Sequence, residues 1–157
     1  MARIKKYHAR GFFPLGEPPA RRSILAAVVD IVKGDALHDD TNGVATNATT
    51  AFAATFLGIA AAPCDNTPQA SLKVEYYPFD KCTQYVVPVA DSLIATTNIG
   101  TKCNLSAVGT LAIGTNPTEG IAFFVDDIDV SAAAIVGNTY GYAIGHFVVV
   151  GTQASSA

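Results

Sequence analysis

Between Ile31 and Pro63 the chain reads IVKGDALHDDTNGVATNATTAFAATFLGIAAAP, short apolar runs cut by turn residues at close intervals. Gly34-Asp35 opens a bend, and Asp39-Asp40-Thr41-Asn42-Gly43 is a turn cluster whose Asn-Gly pair tolerates positive φ. Val44-Ala45-Thr46 resumes an extended run, and Phe56 to Ala60 is a compact apolar strand. The segment therefore specifies strand, tight turn, strand, short Ala/Thr connection, strand. None of its residues is placed for bond chemistry; it is a module for a small β fold with a definite register.

The same rhythm extends in both directions. Ile24 to Val32 reads as a buried strand on its β-branched content. Leu72 to Tyr76 alternates cleanly, a half-exposed strand ended by Pro78, and Tyr85 to Val89 is a strand that Pro88 places at an edge or a bulge. Gly100 to Leu105 leads through Gly109 to Leu111-Ala112-Ile113, and Ile121 to Val125 is a further strand. Short helical turns are expected at Asp91 to Ile94 and, capped by Ser131, over Ala132 to Val136. In the last strand, Tyr140 to Val150, one face carries Tyr140, Tyr142, Ile144, His146, Val148 and Val150. The other begins with Gly141, Ala143 and Gly145, which would let another backbone approach closely. Seven or more short strands with regular turns make an all-β protein, a small barrel or sandwich. One β domain is expected over 24–157, behind an arm over 1–23. Phe56–Ala60 and Tyr142–Phe147 are loosely alike, too weakly to indicate an internal duplication.

Composition bears on partners. Charged residues are 15% of the 157 and apolar ones 50%, against an ordinary charged share of about 25%. A monomer of this size would show water mostly polar residues, and few are present, so surplus apolar surface is expected to lie against other chains. No run of about 18 apolar residues exists to span a membrane. The basic N-terminus is not followed by the apolar core of a secretory signal. Cys64, Cys82 and Cys103 are odd in number and lack C-x-x-C spacing; free buried thiols are favoured over one disulfide.

The net charge of −3 hides an asymmetry. Arg3, Lys5, Lys6, Arg10, Arg21 and Arg22 stand against Glu17 alone, so the first 22 residues carry +5 and the remainder −8. Gly11, Pro14, Gly16, Pro18 and Pro19 exclude a long helix or a central strand there. Phe12, Phe13 and Leu15 are apolar in a stretch that cannot form its own core. A disordered leader is one reading; an extended strap whose aromatics fill a partner's pockets is the other. On the second reading Arg3, Lys5, Lys6, Arg10, Phe12, Phe13, Leu15, Arg21 and Arg22 are the partner-binding residues. Six basic residues over 22 are sparse for nucleic acid, and an acidic body would repel phosphate.

No residue set signals catalysis or a cofactor. Asp126, Asp127 and Asp129 would suit a hard cation, but they lack the glycine and distal glutamate of a calcium loop and read as a solvated acidic turn, as does Asp39-Asp40. His8, His38 and His146 have no partner at ligand spacing. Nucleophile-elbow, zinc-helix and phosphate-loop motifs are absent. The sequons at Asn47 and Asn104 read as chance.

Val32-Lys33-Gly34-Asp35, Asn42-Gly43-Val44-Ala45-Thr46 and Leu57-Gly58-Ile59-Ala60 resemble tailed-phage head decoration (cement) proteins. So do Asn98-Ile99-Gly100-Thr101 with Leu105, and Gly141 to Gly145. The resemblance spans about residues 24 to 150. It implies a β-tulip or related barrel, a homotrimer, the major capsid protein as partner, and a place on the capsid exterior, with no catalytic residue to carry over. The alternative class is a trimeric β-barrel enzyme, or a fibre or receptor-binding module.

Overall fold

The computed structural model describes residues 8, 10–27, 29–39, 43–47, 56–65, 72–90, 93–107, 109–113, 115, 117, 120–130 and 140–150. In chain order the strands are β1 (Phe13–Pro14), β2 (Arg22–Leu25), β3 (Asp30–Ile31), β4 (Ala36–Asp39), β5 (Ala45–Asn47), β6 (Phe56–Ala60) and β7 (Cys64–Asp65). They continue as β8 (Lys73–Pro78), β9 (Tyr85–Ala90), β10 (Lys102–Ala107), β11 (Thr110–Ala112), β12 (Gly120–Asp129) and β13 (Tyr142–Val150). The all-β expectation holds. Among the described residues the helical structure is one 3-10 turn, Thr96–Asn98, beyond the helix expected from Asp91. Leu93 to Ala95 are irregular, while Asp91, Ser92 and the segment over 131–139 lie outside the described residues.

Hydrogen bonding resolves ten of the strands into two five-stranded barrels, the second closed by strand pairing and the first joined round only just past the end of β2. In the first the order is β2-β8-β6-β4-β5, and a parallel bridge from Ala26 to Ala45 returns the last strand to the first. In the second, β9, β11, β10, β12 and β13 form the circuit, closed by the β9–β13 pairing, with β11 parallel to β9. Numbered within each barrel, the strands meet in one and the same order.

The correspondence holds residue by residue. Gly34 N–H donates to Ala60, and Ala60 N–H returns to Asp35; Gly100 N–H donates to Val125, and Val125 N–H returns to Thr101. His38 faces Thr46 and Asp39 faces Ala45, as Asn104 faces Ala112 and Leu105 faces Leu111. Ala36 and Leu37 pair with Ile59 and Gly58, as Lys102 and Cys103 pair with Phe124 and Phe123. Ile59 and Ala60 pair with Tyr77 and Tyr76, as Phe124 and Val125 pair with His146 and Gly145. Ala26 N–H reaches Leu72, and Val89 N–H reaches Gly141. The turn glycines Gly43 and Gly109 have φ of 79° and 78°. The chain is thus an internal structural duplication, which the likeness of Phe56–Ala60 to Tyr142–Phe147 is too weak to indicate.

The interiors match position for position while their volumes do not. Ala26, Ile31, Leu37, Ala45, Ala60 and Val74 are buried in the first barrel; Val89, Ile94, Cys103, Leu111, Val125 and Ala143 take the same places in the second. The first barrel has the smaller set and compensates with Tyr76 where the second has Gly145. The second places Phe123 where the first has Gly58. A Cβ on Gly145 would fall inside the Phe124 carbonyl and 2.9 Å from the Phe123 ring. Large and small have changed places, as close packing at fixed register requires.

Several local expectations shift accordingly. The buried strand expected over Ile24 to Val32 is two pieces, and β2 is mostly exposed because its outer side faces water. Pro88 does not mark an edge: β9 is buried and paired on both sides. Val89 N–H points to Gly141, so the nitrogen of Pro88 faces the opposite side, in the gap between β1 and β11. On β13 the inward residues are the small ones, Ala143 and Gly145, followed by Phe147. The close approach expected there is β12's own backbone.

Gly145→Ala is expected to cost about 2–3 kcal/mol through overpacking, whereas Gly16→Ala, with open space around it, should leave the melting temperature unchanged. Differential scanning calorimetry of the two variants checks this.

Candidate functional site

The stretch expected to reach a partner binds its own chain from His8 onward. Arg3, Lys5 and Lys6 lie outside the described residues. From His8 the chain runs as an extended strap along the seam of the two barrels, and consecutive amides bond to opposite sides of it. Gly11 N–H donates to Gly109 of the second barrel at 2.7 Å, and Phe12 N–H to Gly34 of the first at 2.8 Å.

Phe12 is fully buried against Phe123 and Phe147, at 5.4 Å from each ring. Phe56 and Phe79 approach the same Phe147 ring from the first barrel. Phe13 pairs with Val86, and Leu15 N–H donates to Gln84. Both side chains cover Val86, Tyr142 and Ile144 on the outer face of the second barrel, and the Tyr142 hydroxyl donates to the His8 carbonyl. The assignment of Phe12, Phe13 and Leu15 to a partner's pockets is corrected: the seam between the barrels is apolar and nearer.

The cations divide. Arg10 forks onto Asp35, whose side chain is completely buried, with contacts of 2.9 to 3.1 Å. Val32 N–H also donates to that carboxylate. Arg21 pairs with Glu75 at 2.9 Å in the open and lies over the Tyr77 ring. Arg22 begins β2 and is exposed. Of the nine proposed partner residues, Arg10, Arg21 and Arg22 are exposed among the described residues, Arg22 on β2, but Arg10 and Arg21 are already paired with acids of their own chain. The sequence signal that would have found the Arg10 pairing is Asp35 itself, an acid placed one residue after a positive-φ glycine inside an apolar run.

A cleft of about 610 Å³ opens where the strap, the interbarrel link (residues 79–84) and the second barrel meet. Its lining includes Glu17, Lys81, Cys82, Gln84, Asp126 and His146. Asp126 is not in an acidic turn: it lies inside β12 at the bulge between Val125 and Asp127, which corrects the sequence reading. There His146 Nδ1 is 2.8 Å from Asp126 Oδ2, and Gln84 Nε2 donates to the same oxygen. Cys82 is exposed, Cys64 and Cys103 are buried, and none of the three is in a disulfide. Burial, with the Asp65 charge added, pushes the Cys64 thiol up. Among the described residues no group of three or more His, Cys, Asp or Glu is placed to hold a metal ion. No helix there is long and apolar enough to cross a membrane, which leaves β-strand crossing untouched.

Asp80 organises the link. Burial alone would raise its carboxyl, but the Thr83 amide and hydroxyl and the Cys82 amide all donate to it and together hold it below the usual value. Burial, and the nearby Asp80 charge, push the Tyr85 phenol far up.

No protein-family model matches the chain, and no curated protein matches it in sequence.

Two predictions test the strap and the link. Phe12→Ala should cost about 3–5 kcal/mol, and Arg10→Ala about 2–3 kcal/mol because Asp35 loses its charged partner. A truncation through Phe13 should then melt well below the intact chain. An unchanged melting temperature would return the strap to the role of a free arm. A lowered folded-state value at Asp80 means stability is present above the unfolded carboxyl value of about 3.9 and is lost as pH falls through the folded one. Asp80→Asn should flatten this acid limb of a melting-versus-pH curve.

Proposed function

We propose that the protein is a structural capsid decoration protein, binding the outside of a viral head and bridging major capsid subunits. The observation that supports this is the placement of its exposed apolar side chains. Leu25 and Leu72 stand at one end of the first barrel. Leu93, Val130 and Tyr140 stand at the corresponding end of the second, where Ile94 N–H meets Tyr140 and Gly141 lies against Val130. A body held rigid at its seam offers two like ends, a geometry for gripping two neighbouring subunits. Apolar side chains grouped this way mark interaction surfaces. The scarcity of charge accords with it, and so does the resemblance carried by the glycine, alanine and valine patterns. The copies are proposed to act as a homotrimer; neither nucleic acid nor a membrane enters the reading.

The His146–Asp126 pair beside the Cys82 thiol is what a β-barrel enzyme would use. Asp126 instead joins His146 of β13 to Gln84 beside β9, and we assign the pair to architecture.

The test is binding to bare heads, with sedimentation as the readout. The intact chain should co-sediment. Leu93→Asp combined with Leu25→Asp should weaken binding about tenfold or more while leaving the melting temperature within a few degrees. His146→Gln should leave binding unchanged. Failure of the intact chain to co-sediment overturns the reading.

A further inference from the structure

The duplication makes each barrel a template for the other. On β9, alternation turns Val86 and Pro88 away from β13. The side they face is filled by β1 at Tyr85 and Val86, and by β11 from Val89 onward. Gln84 also accepts from Leu15 there. On β2 the equivalent residues are Ser23 and Leu25. Ala26 N–H reaches Leu72 across β8, so Ser23 and Leu25 turn their amides and carbonyls the other way. That side is met, among the described residues, from Ala26 onward, through the bridge to Ala45 and the Ala27 amide that donates to the Ala45 carbonyl. Among the described residues nothing stands where β1 stands on the second barrel, and Arg22, Ser23 and Leu25 are exposed.

We propose that this open edge of the first barrel is a strand-addition site taking one extended, acidic segment of a partner protein. Backbone pairing with Ser23 and Leu25 would supply affinity, as strand addition does at exposed sheet edges. Arg22 and the exposed Lys73, which pairs with Leu25, set the sign of the occupant's charge. The chain's own N-terminal residues carry the same sign and are excluded by it. Leu25 adds an apolar contact. The inference rests on the capsid-binding reading, so the segment belongs to the capsid subunit.

The second barrel supplies the variant for the test. Pro88 occupies the place of Leu25 and is tolerated there, so Leu25→Pro removes an edge amide from a strand that can hold proline. On bare heads, Leu25→Pro and Arg22→Glu are each expected to bind about tenfold more weakly than the intact chain. Hydrogen exchange should show the Ser23 and Leu25 amides protected in the bound state and unprotected in the free protein. Intact protein that binds heads with both amides still exchanging freely overturns the edge assignment and leaves the capsid reading standing. Intact protein that does not bind heads overturns both. Should Leu25→Pro fail to fold, exchange on the intact chain decides alone.

Discussion

Everything in this molecule depends on how two small barrels are held as one body. Neither has much interior to spare: the first is lined by three alanines with Ile31, Leu37, Cys64, Val74 and Tyr76, and the second leans on the aromatic rings of Tyr85, Phe123 and Phe147. The strap supplies what the seam lacks. Gly11 and Phe12, adjacent in sequence, bond to different barrels, Phe12 fills the aromatic cluster between them, and Arg10 carries a guanidinium to the buried Asp35. Burial of one large aromatic side chain is worth about 1.5–3 kcal/mol. A buried carboxylate without a counter-charge costs a comparable amount or more. Each element of the strap is thus of the size of a useful share of a domain's net stability, roughly 5–15 kcal/mol.

The all-β class and many strands were legible because alternation, turn glycines and proline stops act locally. Leu72 to Tyr76 illustrates it: Val74 and Tyr76 are buried, Lys73 and Glu75 exposed. The duplication was illegible for an equally physical reason. What the two halves share is backbone register, and register demands only that inward positions be apolar and turn positions permissive. Identity survives at Ala27 and Ala90, Ile31 and Ile94, Gly34 and Gly100, and Gly43 and Gly109. Elsewhere the interior volumes have been traded, Tyr76 and Gly58 against Gly145 and Phe123. The sequence comparison of Phe56–Ala60 with Tyr142–Phe147 set the fourth strand of one barrel against the fifth of the other.

The strap shows the converse failure. Composition correctly identified residues that form no helix and no core of their own, and it located three apolar side chains needing cover. It could not say whose surface covers them. That depends on a seam formed by residues more than a hundred positions away, Phe147 and Tyr142 among them. Charge was misleading for the same reason. The basic excess near the N-terminus is partly spent inside the chain, through Arg10 on Asp35 and Arg21 on Glu75. Asp126 likewise resembled a solvated acid until β13 brought His146 beside it.

A duplicated chain that uses one strap cannot treat its two halves alike. β1 covers the free edge of β9, and among the described residues no strand does the same for β2. The strap also seals Tyr142 and Val86 on one barrel, while the outer strand of the other shows Arg22, Ser23 and Leu25 to solvent. Exposed edges invite pairing, and proteins commonly blunt them with charge or proline. Here proline sits on the covered strand and charge on the open one. Proline at position 88 is harmless because the side it faces needs no donor. At the equivalent Leu25 the amide is retained, so the first barrel keeps the donor that an incoming strand would require.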